Sequence, residues 1–547
     1  MRKLFAIGSI LLLVGTTIIS LYFPRMWWSL MFFVPLISLG IYDLVQKKHT
    51  ILRNFPVLGH FRYLLESIGP EIRQYFVESD ISGRPFTRLQ RNFVYKRAKQ
   101  QLNTHPFGTE LNVYDEGYMW MAHSMYPKEE MEKPQRVMFG GKECTKPYSS
   151  SVFNISAMSY GSLGKNAVTA LSTGAKLGGF FQNTGEGGLA PYHLDGGGDL
   201  VWQIGTGYFG CRTENGDFSD ELFQEKSSHP NIKMIEIKLS QGAKPGLGGV
   251  LPAEKNTPEI AKIRHLIPHK IVHSPPAHKS FADAPGLLEF VRKLRNLSGG
   301  KPVGFKLCIG SRQEFINICE AIISTGIYPD FITVDGGEGG TGAAPIEFSD
   351  NVGMPLNDAL VFVVDTLRGY NLKKDIRVIA SCKVMTGFDI VKNLCIGADA
   401  CNCARGMLFA LGCIQALKCD TNQCPTGITT HRPELQAGLN IADKSVRVAN
   451  FHKETVKSAM ALLTAAGLES TEKLNRTYIY KRVDQYHSFP LEHIFPSVEE
   501  GEFLKKKDNV AAKGEQERYN LEGQPERRQP VDPQKNGDDY PKENRVN

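Results

Sequence analysis

The sequence has eleven cysteines but no C-x2-C pair, the knuckle that most structural zinc sites use. An odd cysteine count, spread mostly over expected strands and helices, excludes a disulfide framework and fits a reducing compartment. A strong charge bias is also missing. Sixty-four Lys and Arg stand against 57 Asp and Glu, a formal net charge of +7, and part of that excess falls in residues 84–99 and in the C-terminal tail. Such a balance marks a soluble surface with a basic bias and points to no nucleic-acid partner. Past Phe503 apolar residues become scarce, while charged residues, Pro, Gly and Asn accumulate, so that tail is expected to be disordered.

Charge is absent altogether from residues 4–23 and again from 26–42. Each stretch approaches the roughly 20 residues that cross a bilayer. Tyr22 and Trp27-Trp28 sit where an aromatic belt would lie, and Arg2-Lys3 and Lys47-Lys48 bracket the pair. Basic residues at both outer ends favour a transmembrane hairpin with both ends cytoplasmic, although Arg25 in the connection weakens that bias. A signal peptide is the rival reading, but no small-x-small cleavage site is evident. A second stretch lying along the membrane interface is another. The expected organisation is an anchor over 1–48, a linker or helical region over 49–130, a catalytic domain over 131–475 and an extension over 476–547. In the linker, 56–60 reads as a turn, 61–68 and 71–78 as helices, and 105–109 as a loop.

The cysteines that are present concentrate their information in one run. Cys413, Cys419 and Cys424 stand at C-x5-C and C-x4-C, and Pro425 follows the last. Cys–Pro closing a compact thiol run is a recurrent way to end an iron–sulfur loop. Three thiols suit a cluster with one vacant iron corner, or one whose fourth ligand comes from elsewhere. Buried structural thiols or a zinc site are the alternatives.

Glycine is abundant, with 53 residues, and concentrates between Gly161 and Gly342. Short β-rich runs recur at 152–156, 180–182, 201–205, 234–239, 303–308, 331–335, 376–380 and 400–403, with helical stretches at 164–177, 287–297, 314–324, 355–367 and 388–394. This alternation over about 250 residues predicts an α/β fold, a TIM (β/α)8 barrel. Doubly wound sheets alternate too. The barrel is favoured because nearly every motif falls at or just past a strand end, where barrel active sites lie.

These motifs begin with Ser156, Ala157, Met158 and Ser159 after the first strand, and Asn183, Thr184 and Glu186 after the second. Gln203 lies on the third, Lys238 at the end of the fourth with Gln241 and Lys244 beyond it, and Lys306 inside the fifth. Asp335, Gly336, Gly339, Gly340, Thr341 and Gly342 follow the sixth, Ser381, Cys382 and Lys383 the seventh, and Ala404, Arg405 and Gly406 the eighth. Lys306 among apolar neighbours should point into the barrel mouth, where a buried ammonium needs an anion. In a flavin enzyme that place suits the N1–C2=O edge; a salt-bridged core lysine is the plainer reading. Lys238 is similar, with Glu236 on the same strand face as its expected neutraliser. Glycines and Arg405 after the last strands resemble a phosphate cradle. Gln241 and Lys244, three residues apart on a glycine-flanked loop, could grip a dicarboxylate.

Taken together in order, Asn183 to Gly188, Gln241 to Gly246, Gly339 to Pro345 and the cysteine run resemble the FMN-binding synthase domain of glutamate synthases, in its short single-domain version, over about residues 130–470. The resemblance implies a barrel holding FMN beside a 3Fe–4S cluster ligated by Cys413, Cys419 and Cys424. It implies Gln241 and Lys244 as 2-oxoglutarate contacts, Lys306 as the flavin-contacting lysine, and the 156–159 and 183–186 segments as loops around the flavin. Glu186 and Lys306 would be the catalytic pair. Electrons would come from ferredoxin or a pyridine-nucleotide reductase subunit, and 2-oxoglutarate would be reductively aminated to L-glutamate. Ala404-Arg405-Gly406 and Ser381-Cys382-Lys383 depart from the family's usual phosphate residues, and Tyr208 stands where larger members carry arginine. No N-terminal nucleophilic cysteine opens the chain and no glycine-repeat β-helix follows the barrel, so ammonia rather than glutamine is the expected nitrogen source. The anchor leaves two further readings open: another amino or hydroxy acid as substrate, or a membrane electron-relay subunit.

Overall fold

The computed structural model of the chain describes residues 1–101 and 104–508, which fall into two compact units divided after Leu89. Most of the expected disordered tail lies outside the described residues; its first part, Glu502–Asp508, is helical.

The first unit begins with two helices, Arg2–Tyr22 and Leu30–Val45, joined by a 3-10 turn over Pro24–Ser29. Proline at the first position of that turn stops the first helix from continuing. A Cβ on Gly40 would lie 2.0 Å from the Phe5 ring, so the end of the second helix packs closely on the start of the first, as in an antiparallel hairpin. The spans Arg2–Tyr22 and Pro24–Val45, 21 and 22 residues, are long and apolar enough to cross a membrane by length and composition. Beyond them, the two helices expected over 61–68 and 71–78 are one element: Gly59–Ile72, running into a π-turn over Arg73–Val77.

The second unit is built on a closed barrel of eight parallel strands: Phe153–Ile155, Phe181–Asn183, Asp199–Ile204, Ile232–Lys238, Val303–Leu307, Phe331–Asp335, Arg377–Ser381 and Ala400–Cys403. All eight coincide with the apolar runs read from the sequence. Strands buried on both faces need apolar residues throughout, so they appear as continuous runs rather than alternations. The (β/α)8 expectation is met. Under the barrel, an antiparallel hairpin (Arg136–Phe139 with Tyr148–Ser151) inserts Phe139 and Tyr148 against Phe181, Val201, Met234, Phe331, Ile379 and Ala400. This plug closes the N-terminal end and leaves only the C-terminal mouth open. The longest helix, Ile441–Ala465, packs against Lys165–Gly178, where a Cβ on Gly174 would come within 2.8 Å of Val448. A three-stranded antiparallel sheet pairs Met119–Met121 with Ile479–Arg482 and then Ser488–Pro490.

Candidate active site

In register, Lys238 at the end of the fourth strand stands directly beside Lys306 on the fifth. Two ammonium groups side by side inside a barrel require counter-charges, and each has one. Lys238 Nζ donates to Glu186 Oε1 at 2.5 Å, and Lys306 Nζ lies 3.1 Å from Asp335 Oδ2. The expected pairing of Lys238 with Glu236 is therefore corrected. Glu236 instead lies deeper and accepts hydrogen bonds from Asn183 Nδ2 (2.7 Å), Gln203 Nε2 (2.6 Å) and Thr333 Oγ1 (2.7 Å). Three donors satisfy that carboxylate, which frees Lys238 for the mouth.

These pairings set the ionisation of the mouth. Burial alone would raise the Glu186 carboxyl, but the Lys238 ammonium, with Lys244 and Arg264 adding to it, holds it below the ordinary value. Burial works against the Lys306 charge, yet Asp335, Glu236 and Glu186 keep its ammonium above the usual value. Asp335 Oδ2 also accepts from the Gly242 N–H at 2.9 Å, tying the loop after the fourth strand to the end of the sixth. Only glycine fits there, because a Cβ at 242 would sit 1.7 Å from the Gly336 carbonyl oxygen.

Above the lysines opens a cavity of about 1170 Å3, open solvent at its mouth included. Ala157, Met158, Ser159, Glu186, Gln203, Lys238, Gln241, Lys244, Lys306, Gly340, Thr341, Gly342, Ala404, Arg405 and Cys419 line it, so most of the motif residues converge on one space. Ser156, Asn183, Thr184, Asp335, Gly336, Gly339, Ser381, Cys382, Lys383 and Gly406 are not in its wall. Several of them brace it. Ser156 and Ser381 hydroxyls meet at 3.2 Å, and the Gly185 N–H donates to Asn183 Oδ1 at 3.0 Å. Thr184 Oγ1 accepts from the Gln203 N–H at 3.1 Å.

Six cationic side chains line the cavity, Lys238, Lys244, Lys255, Arg264, Lys306 and Arg405, against the two carboxylates Glu186 and Asp420. Lys244 is the telling one. It is buried, and among the described residues no carboxylate lies within ion-pairing distance of it. Burial, then the nearby Lys238 charge, push its ammonium down, with Glu186 opposing. A desolvated ammonium beside a cavity calls for an anion in that cavity.

Lys255 and Arg264 carried no motif in the sequence. Arg264 lies on Pro258–Arg264, a helix capped by the Thr257 hydroxyl with proline at its first position, a signal that locates the helix but not the use of its arginine. Its guanidinium donates to the Tyr160 carbonyl at 2.7 Å and lies over the Phe209 ring, while its Nε has no partner among the described residues. Burial lowers it to about 10. Lys255 Nζ donates to the Cys419 carbonyl at 2.7 Å and the Ser162 carbonyl at 3.3 Å, and burial draws its ammonium down to about 8. Tyr208 is wholly buried; its hydroxyl accepts from the Ser280 N–H at 3.0 Å, and it does not line the cavity.

The cysteine loop forms one wall. Arg405 bridges it to the glycine loop, with Nη1 3.6 Å from Cys419 Sγ and Nη2 donating to the Thr341 carbonyl at 2.9 Å. Burial would raise the Cys424 thiol, but the hydroxyls and N–H groups of Thr426 and Thr429 bring it down to about 7. Burial raises the Cys413 thiol, with the Gln415 N–H, 3.5 Å from its sulfur, and Arg405 opposing. Among the described residues no three His, Cys, Asp or Glu side chains converge on a single-ion position.

A region described as conserved in glutamate synthase matches residues 120–469, well over half of the chain. The chain belongs to the glutamate synthase family. It is 40% identical over 486 residues to a glutamate synthase large subunit-like protein, YerD, of Bacillus subtilis, covering 81% of this chain and 92% of that one. It is 36% identical to an archaeal glutamate synthase [NADPH] of Methanocaldococcus jannaschii over 58% of this chain and 60% of that protein's length. Membership places this glutamate synthase-family chain among the oxidoreductases. Among solved structures, a flavocytochrome b2 variant with sulfite bound is similar at 12% identity and a TM-score of 0.41, covering 87% of this chain and 95% of that one.

Proposed function

We propose that this chain is an FMN and iron–sulfur oxidoreductase that reductively aminates a 2-oxo acid, 2-oxoglutarate to L-glutamate, with ammonia as the nitrogen source. The observation that carries this reading is Lys244, a buried ammonium without an ion-pair partner among the described residues, set beside Gln241 on the wall of a cation-rich cavity. Charge-assisted hydrogen bonds from these two side chains suit the carboxylates of a small dianionic acid.

The residues fit the implied flavin. Ala157 to Ser159, Gln203 and Lys306 would hold the ring, with the Lys306 charge at its N1–C2=O edge, and Gly340 to Gly342 with Ala404 and Arg405 would hold the phosphate. Bound there, FMN supplies hydride chemistry, the part that side chains cannot perform. Cys413, Cys419 and Cys424 would ligate a 3Fe–4S cluster. Cys424 is already biased towards thiolate, and the Gln415 N–H and Arg405 donate towards the other sulfurs. Hydrogen bonds of this kind tune such a cluster, whose chemistry would be one-electron redox, with ferredoxin or a pyridine-nucleotide reductase subunit as the electron source. The chain's own work is electrostatic. Glu186 pairs with Lys238, Asp335 pairs with Lys306 while pinning the Gly242 turn, and that turn presents Gln241 and Lys244 to the substrate. The helical hairpin of the first unit would anchor the enzyme, with its barrel in the cytoplasm.

Flavin-loaded protein supplied with reduced ferredoxin, ammonia and 2-oxoglutarate should form glutamate; failure overturns the assignment. Lys244→Ala should raise the KM for 2-oxoglutarate by about 30-fold while leaving the visible spectrum unchanged.

A further inference from the structure

The helix after the hairpin leaves its apolar face uncovered. Phe61, Leu64, Leu65, Ile68 and Ile72 form a stripe about 100° wide along Gly59–Ile72, and Phe76 in the following π-turn prolongs it. All six are exposed, Phe61 to 65% and Phe76 to 85%. The opposite face is polar and internally neutralised: Arg62 pairs with Glu66 at 2.7 Å and Arg73 with Glu78 at 3.0 Å. A soluble helix turns such a stripe to a core, and one with a charged back and a bare apolar front matches helices that lie in a bilayer interface.

The position of the helix decides what covers it. Asp43, buried two residues before the end of Leu30–Val45, accepts from the Val57 N–H at 2.9 Å and hydrogen-bonds His60 Nε2 at 2.9 Å. His60 is on the amphipathic helix itself, so that helix starts at the end of the second apolar span. Gly59 packs on Leu52, fixing the intervening turn. Lys47, Lys48 and Arg53 lie in that connection, and among the described residues none has an acidic partner. The stripe is thus continuous with a hairpin whose large apolar side chains are exposed, and it starts where the cationic residues would meet headgroups.

We infer that Gly59–Ile72 and its π-turn lie in the membrane interface, with the Phe61-to-Phe76 stripe in the acyl boundary and Lys47, Lys48 and Arg53 on anionic headgroups. The inference rests on the anchoring proposed for the hairpin, and its test separates the two. Full-length protein is reconstituted in bilayers of phosphatidylcholine and phosphatidylglycerol, with a dansyl amino acid at Leu65, at Glu66 or, in the hairpin, at Leu12. Doxyl-labelled lipids quench at defined depth. Position 65 should lose emission to shallow doxyl labels, position 66 should not, and the loss at 65 should weaken when phosphatidylglycerol is omitted. An unquenched position 65 overturns the inference and indicates a protein cover, the barrel or a second copy. Position 12, quenched by deep labels, judges the hairpin separately: quenched at 12 but not at 65, the anchor stands and the interfacial helix does not.

Discussion

Large apolar side chains face outward in the first unit and inward in the second. Ile10 is 62% exposed, as are most of its neighbours on the first two helices, whereas Val378 in the seventh barrel strand is fully buried. The second unit has a closed sheet, a plug beneath it and helices around it, so its apolar surface has a protein partner. In the first unit the two apolar helices meet closely at Gly40 against Phe5, and most of their large apolar side chains stay exposed. The same residue types thus have a protein partner in one unit and stay exposed in the other, and on the proposed anchoring their energetic roles differ accordingly.

One substitution made in both places gives the largest expected contrast. Val378→Asp buries an unpaired carboxylate in the barrel and should cost more than about 4 kcal/mol, seen as loss of soluble folded protein. Ile10→Asp should leave the barrel's thermal transition where it is and weaken membrane association by about 3 kcal/mol, measured by carbonate extraction of membranes. Equal effects at the two sites would break the comparison.

Next in size is a pair that only a protein interior could hold. Arg476 and Asp365 are both buried and bonded at 2.7 Å and 3.0 Å. Arg476→Met strands the carboxylate and should destabilise the second unit by about 3–5 kcal/mol in urea denaturation.

Acid sharpens the contrast least but most specifically. Burial lowers His193 and His431 to about 4 and His452 to about 3, from an ordinary 6.5, all in the second unit. The folded state keeps these rings neutral while the unfolded chain takes up protons below pH 6.5, so stability present at neutral pH is lost as pH falls from 6.5 towards those values. Each ring contributes up to about 1.4 kcal/mol per pH unit in that window. His452→Gln should flatten the acid limb of the stability profile; an unchanged limb would show that His452 is not kept neutral in the fold.

The site was legible to the extent that its residues sit on strand ends. Lys306 and Lys238 fall within apolar runs whose barrel arrangement follows from alternation, and the glycine and cysteine spacings mark their loops. Lys255 and Arg264 were not legible, because they reach the cavity from the long segment between the fourth and fifth strands, where no period or motif ties them to it. Glu236 misled for a related reason: sharing a strand face with Lys238 suggests a pair, but face says nothing of depth, and Glu186 on another strand's loop is the closer partner. The amphipathic stripe over 61–72 was visible as helix, yet periodicity cannot state whether protein or lipid covers it.

The sequence by itself determined where each barrel strand lies and that two spans are long and apolar enough to cross a membrane, because burial on both faces of a strand imposes an apolar run and local composition records any such run. Tertiary structure alone decided which charges meet: Glu186 with Lys238, Asp335 with Lys306 and, among the described residues, no carboxylate with Lys244. Ion pairing depends on distances between residues well separated along the chain, 52 positions for Glu186 and Lys238, and at about 3 Å a partner is fixed by closure of the barrel rather than by any neighbour along the chain.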